Sequence, residues 1–245
     1  MQNPIMALTN LSISRPVLHE QVAQRLRQML VEGLIPPGGK LNERTLCEEL
    51  HISRTPLREA IKMLAAEGLV ELLPNRGSVA VQLSEADVRH TFEVMAGLEG
   101  LSGELAAQRV TEAELLEIKA LHFEMLAAYT RRDLSAYYQI NAAIHRSFNA
   151  AAKNPVLTAT YNQVNARLQA LRFRSNQDGD KWQRAVDEHI AMVQALEARD
   201  AAALRQVLMH HLDNKRNVVI EQLRSAQDAS TYGKASPSLT EGHAP

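Results

Sequence analysis

Apolar residues recur at helical spacing from the first stretch of the chain that has any clear period. Val22, Leu26, Met29 and Leu30 share one stripe and predict a helix over 19–32. Gly33 and the Pro36-Pro37-Gly38-Gly39 cluster end it in a tight loop. Asn42 is expected to cap a second helix through Leu50, and the short turn His51-Ile52 leads to a third. In that third helix Thr55 is expected to cap, with Pro56 in the first turn, and Gly68 stops the helix after Glu67. Leu57, Ile61 and Leu64 form its apolar face, whereas Arg54 and Arg58, one turn apart, share the exposed one. The period then changes. Leu69 to Leu73 and Ser78 to Val81 are β-prone runs on either side of Pro74-Asn75-Arg76-Gly77, which is a hairpin signal. Three helices followed by a hairpin predict a winged helix-turn-helix over residues 15–82, preceded by a flexible N-terminus over 1–14.

From Ser84 onward nearly every window has a helical period. Ser84 with Asp87, and Thr111 with Glu114, have capping-box spacing, although Asp is an imperfect fourth residue. Asn154-Pro155 combines a cap with a first-turn proline, and Gln177-Asp178-Gly179-Asp180 is a further break. These signals predict six helices near 84–108, 112–131, 133–152, 155–175, 180–198 and 200–225. The fold class is therefore mainly α: a winged helix-turn-helix followed by an all-α antiparallel helical bundle over 84–225. The Ser-, Ala-, Gly- and Pro-bearing tail over 226–245 is expected to be disordered.

Composition narrows the class without choosing the function. A 245-residue chain with 45% hydrophobic and 22% charged residues can bury a real core. The net charge of −1 argues against sequence-independent coating of nucleic acid, and 4% aromatics argue against a base-stacking platform. The single cysteine, Cys47, has no intrachain partner and no flanking base, and reads as packed and inert. The chain has no basic region followed by an apolar core at its start and no apolar run of roughly 18 residues. The expectation is a cytoplasmic protein with no membrane partner.

Within 15–82 there are nine Lys/Arg against eight Asp/Glu, so distribution matters more than total. Arg44, Arg54, Arg58 and Arg76 lie at the start of helix two, the start of helix three and the hairpin tip, places that converge on one surface in a winged helix. Arginine there can fork onto guanine or clamp phosphate, and Gly77 lets the wing backbone approach a duplex closely. A single such arginine is most simply a solvated one. The set of four points to DNA.

The nine histidines include three worth weighing together. His145 follows Asn141 by one turn on the third bundle helix, His189 lies mid-helix, and His211 lies on the last helix. Each sits in an apolar stripe. For any one of them, a hydrogen-bonded core histidine is the better reading; a shared metal would satisfy all three at once. His210, about 100° round the helix from His211, points elsewhere.

Residues 18–81 resemble the DNA-binding domain of the GntR superfamily of bacterial transcription regulators. The resemblance is carried by Gly33 to Leu41, by Ser53-Arg54-Thr55-Pro56-Leu57-Arg58-Glu59-Ala60, by Leu64 to Val70, and by the wing Asn75-Arg76-Gly77-Ser78. Residues 90–223 resemble the FCD ligand-binding domain of that superfamily's FadR branch. Here the carriers are Leu98-Glu99, Ala106-Ala107, Asn141 to His145, Asn154-Pro155, Glu188-His189 and His211-Leu212. The resemblance implies operator contacts from Arg44, Arg54, Thr55, Arg58 and the wing around Gly77, on palindromic double-stranded DNA read by a homodimer. It also implies a divalent metal held by Asn141, His145, His189 and His211. Asn141 stands where the family has an aspartate, and Met95 where it often has an arginine facing the effector. Three histidines favour Zn²⁺, with Ni²⁺ as second choice. A neutral Asn141 leaves one more positive charge, so an organic acid is expected to complete the metal's shell, helped by Arg167, Arg172 or Arg174.

The implied function is a ligand-responsive transcription regulator, most simply a repressor released by its effector. Three rivals differ in chemistry: a metal-free regulator whose histidines bind the organic ligand directly, a metal sensor proper, and a metal-dependent hydrolase. The last finds no HExxH to support it.

Overall fold

A computed structural model of the protein describes residues 18–174 and 179–233, with side chains over 18–168 and 182–225. The chain divides into two compact units, Met1–Val81 and Gln82–Pro245.

The first unit contains α1 (Leu18–Glu32), α2 (Glu43–Leu50), α3 (Arg54–Ala66) and the antiparallel pair β1 (Val70–Leu73) and β2 (Gly77–Ala80). Leu26 of α1 and Leu57 and Leu64 of α3 are fully buried at its centre. The helix starts and stops follow from local chemistry. The Asn42 side chain accepts from the amides of Arg44 and Thr45, and His51 turns the chain in the left-handed region at the end of α2. Gly68, at φ +73°, closes α3. Arg27 grips Glu67 through two hydrogen bonds, at 2.6 and 3.0 Å, tying α1 to the end of α3. The Pro-Gly loop after α1 is structured by the wing: Gly38 N–H donates to Ala80 O, Ala80 N–H to Gly39 O, and Leu41 N–H to Ser78 O. Lys40 and Val79 form an added antiparallel bridge.

One expectation is corrected here. Thr55 does not cap α3. Ser53 takes the cap position with extended backbone, and Thr55 is the second helical residue, exposed to solvent.

The second unit holds α4 (Glu85–Arg109), α5 (Glu112–Thr130), α6 (Leu134–Ala151), α7 (Pro155–Arg174), α8 (Gly179–Glu197) and α9 (Ala201–Gly233). Both expected capping boxes form, the Ser84–Asp87 one included. Asp133 and Asn154 cap α6 and α7 by accepting from Ala136 and Leu157 amides. The last helix continues to Gly233, past the expected end near 225; residues 234–245, the rest of the expected tail, lie outside the described ones, as do 1–17. Among the described residues no helix is long and apolar enough to cross a membrane.

α4 packs most extensively on α9. Two glycines set that approach. A Cβ at Gly103 would stand 2.4 Å from Leu208 Cδ1, and one at Gly100 2.9 Å from Met209 Cγ. The consequence for function is positional: α9 runs close against the stretch of α4 that carries Glu99, only two residues before His211.

Candidate DNA-reading face and metal centre

In the first unit the exposed side of α3 begins with Ser53, whose side chain makes no capping hydrogen bond. Ser53 and Thr55 are exposed, and the Ser53 side chain leaves the first-turn amides of α3 without a side-chain cap, an arrangement suited to a phosphate oxygen. Arg54 is exposed beside them. Arg58 directs its Nε to the Glu43 carboxylate at 3.0 Å, which ties the exposed side of α3 to the first residue of α2. Arg44, next along α2, pairs with Glu48 at 3.0 Å and stays largely in solvent. Arg76 is exposed in the β1–β2 turn, and Gly77 follows at φ +86°, a backbone conformation that a side chain would strain. The structure thus places Arg44, Arg54, Thr55 and Arg58 on adjoining helix starts and Arg76 and Gly77 on the wing. Cys47 is half-buried against the core of this unit.

In the second unit His145 (α6), His189 (α8) and His211 (α9) converge although they lie on three helices. Their ring centroids are 5.1 to 5.3 Å apart, and one ring nitrogen from each lies within 4.8 Å of the others. All three are buried, His189 completely, and neither nitrogen of His189 has a hydrogen-bond partner. A buried imidazole with both nitrogens unpartnered is destabilising by about 1–3 kcal/mol. A shared divalent ion would remove that penalty. Three buried imidazoles, each with a ring nitrogen within 4.8 Å of the others, are a donor set that would suit Zn²⁺.

Two carboxylates stand behind two of the rings. His211 Nδ1 is 2.6 Å from Glu188 Oε2, and Asn214 Nδ2 donates to the other Glu188 oxygen at 2.5 Å. His145 Nδ1 is 2.8 Å from Glu99 Oε2 on α4, with the oxygen off the line of an N–H bond. Neither glutamate was singled out as a site residue from the sequence. Asn141 lies half-buried one turn before His145. Glu188, whose carboxyl is lowered overall, brings an anionic group to the His211 side of the cluster, while Asn141 is neutral.

The electrostatics keep His189 and His211 neutral. Burial lowers His189 well below the usual imidazole range, and His145, His211, His122 and Lys215 push the same way. Burial also lowers His211, to about 4, against the opposing hydrogen bond to Glu188. Glu188 is pushed up by burial, but the His211 and Asn214 contacts outweigh this and its carboxyl is lowered overall. Neutral imidazole is the form that ligates a metal. It also sets a pH dependence. Below about pH 6.5 the unfolded chain takes up protons that folded His189 and His211 refuse. Metal-free protein is therefore expected to lose melting temperature as pH falls from about 6.5 towards 4, with no contribution from these groups above that window. The fall should be shallower in His189→Leu; equal slopes in the two proteins would contradict the assignment.

Beside His211 and Glu188 a small pocket of about 30 Å³ is walled by Arg184, Ala185, Asn214, Lys215 and Val218. That volume holds one or two waters. Arg167 is exposed on α7 and is not part of this wall, and the side chains of Arg172 and Arg174 lie outside the described ones.

Comparison with known proteins accords with both units. The model of the bacterial regulatory proteins of the gntR family matches residues 18–79, and that of the FCD domain matches residues 90–214. The HTH-type transcriptional repressor RspR of Escherichia coli K12 is 26% identical over 204 residues, spanning 83% of this chain and 89% of that protein. The gluconate operon transcriptional repressor of Bacillus subtilis 168 is 25% identical over 212 residues, spanning 84% and 87%. The structure of E. coli McbR/YncC superposes with a TM-score of 0.75 at 20% identity, over 84% of this chain and 98% of that one, a likeness of fold. The chain belongs to the GntR family of bacterial regulators, with an FCD domain as its helical half, and is a transcription regulator rather than an enzyme.

Proposed function

We propose that this regulator reads a palindromic operator as a homodimer and that its helical domain senses a small organic acid next to a bound divalent ion. The ion, Zn²⁺ before Ni²⁺, is held by His145, His189 and His211, with Asn141 as a neutral fourth donor. The observation that carries this reading is His189, wholly buried between two other imidazoles with neither nitrogen partnered. The ion supplies Lewis acidity towards a carboxylate oxygen. The chain's own groups then orient the effector: Arg184 and Lys215 flank the pocket beside His211 and attract an anion. The pocket as it stands has room for one or two waters, so an organic acid seated there would extend into the surrounding solvent or widen it. Widening that separates α8 from α9 would give the effector different contacts in two states, as a two-state regulator requires. Repression relieved by the effector is the expected sign, and the gluconate operon repressor among the similar proteins makes gluconate a sensible first probe.

The test is a melting series on full-length protein. After dialysis against EDTA, excess Zn²⁺ is expected to raise the melting temperature on the order of ten degrees, as tight binding to the folded state demands. Elemental analysis should find one ion per chain. An unchanged melt without stoichiometric metal would defeat the metal reading and leave the histidines to an organic ligand.

A further inference from the structure

Glu99 is the least expected charge in the second unit. It sits on α4 among Gly100, Ser102, Gly103 and Ala106, all buried, and is itself 2% exposed. An ionised carboxylate in such surroundings is strongly destabilising unless it is well partnered, and replacing a buried ion pair by apolar residues is often neutral or stabilising. Stability is therefore a poor reason for this glutamate to be there. Its place suggests a better one. Oε2 is 2.8 Å from His145 Nδ1, close but not aligned for a hydrogen bond, so a carboxylate stands beside that nitrogen and leaves Nε2 for the cluster. At His211 the corresponding carboxylate is hydrogen-bonded, with Glu188 Oε2 2.6 Å from Nδ1. Carboxylates placed behind metal-ligating imidazoles fix the tautomer and ring orientation and make the ligating nitrogen a better donor.

We propose that Glu99 is a positioning residue of the metal centre, holding His145 with Nδ1 turned towards α4 and Nε2 presented to the ion. The proposal rests on the metal reading above and deepens it. It divides the labour among four helices. α6, α8 and α9 supply imidazoles, and α4 supplies none but orients one. The matched carboxylates also distinguish the rings: His145 and His211 are backed, whereas His189 is held only by the packing around it.

The experiment compares wild type, Glu99→Gln and Glu99→Ala as full-length proteins, with Zn²⁺ alone as the probe. Zinc affinity is measured by competition with a chromophoric chelator, and the melting temperature of each metal-free protein is recorded alongside. Glu99→Gln keeps an acceptor oxygen but loses the charge, and should bind Zn²⁺ on the order of 10-fold more weakly. Glu99→Ala loses both and should fall on the order of 100-fold. A purely structural glutamate would change the metal-free melts and leave zinc affinity untouched, and that result overturns the proposal. Failure of both variants to fold without metal would likewise make Glu99 a core residue and overturn it. If wild type itself takes up no Zn²⁺, the metal reading fails first; if wild type binds and both variants match it, only the role of Glu99 fails.

Discussion

Replacing Arg54 and Arg58 together by alanine is expected to lower affinity for an operator selected from random DNA by 100-fold or more, while the fold and assembly stay unchanged. Both side chains are exposed, so neither change opens the core around Leu57 and Leu64. An arginine that forks onto a base edge contributes about 1–3 kcal/mol of discrimination, so two of them account for the expected loss. The removal of Arg58 also strips Glu43 of its partner, and on a duplex read by α3 it would leave an unpaired carboxylate near the DNA. Arg58→Ala should therefore be more damaging than Arg58→Ala combined with Glu43→Ala. Gel-shift titration at fixed salt measures both. Wild-type affinity in the double arginine variant would refute α3 as the reading helix.

Changing His189 to leucine should separate stability from sensing. Leucine is of similar volume and carries no polar atom, so it removes two buried nitrogens that have no partner. The metal-free protein should then gain about 1–3 kcal/mol, a rise of several degrees in melting temperature. The same change would delete the innermost of the three proposed ligands, and stoichiometric zinc should disappear. A core histidine with no ligand role predicts something different: a small change in stability and no effect of metal on either protein. A variant that is more stable alone but cannot be stabilised by Zn²⁺ would be direct evidence that the wild-type core is frustrated for the sake of its ligand.

Much of the fold was legible because helix ends in this chain are written in side-chain chemistry. Ser84, Thr111 and Asn154 announce their helices and cap them, and the six helices of the second unit begin within two residues of expectation. The errors have local causes. Ser53 and Thr55 are both plausible caps two residues apart, and only the backbone of Ser53 is extended. The last helix overran its expected end because Ser, Ala and Gln do not stop a helix. The histidine trio was legible from its apolar surroundings together with a family resemblance. Glu99 and Glu188 appeared in the motifs carrying that resemblance, yet nothing in one sequence pairs a glutamate on α4 with a histidine on α6. That contact is made by tertiary packing, through two glycines that admit α9 and through the side of α6 that meets α4.

The ion pairs on the reading face have a consequence for how the protein searches DNA. Arg58 and Arg44 are each matched with a glutamate before any duplex arrives. If these arginines contact DNA, a random stretch of phosphate would offer them little beyond the carboxylates they must leave, while Glu43 and Glu48 would be repelled by the backbone. A site whose base edges take both prongs of a guanidinium would make the exchange favourable. Affinity for non-operator DNA would then be suppressed more than affinity for the operator, and the ratio between the two, which governs occupancy in a genome, would rise. Neutralising Glu43 and Glu48 should tighten binding everywhere and select less well.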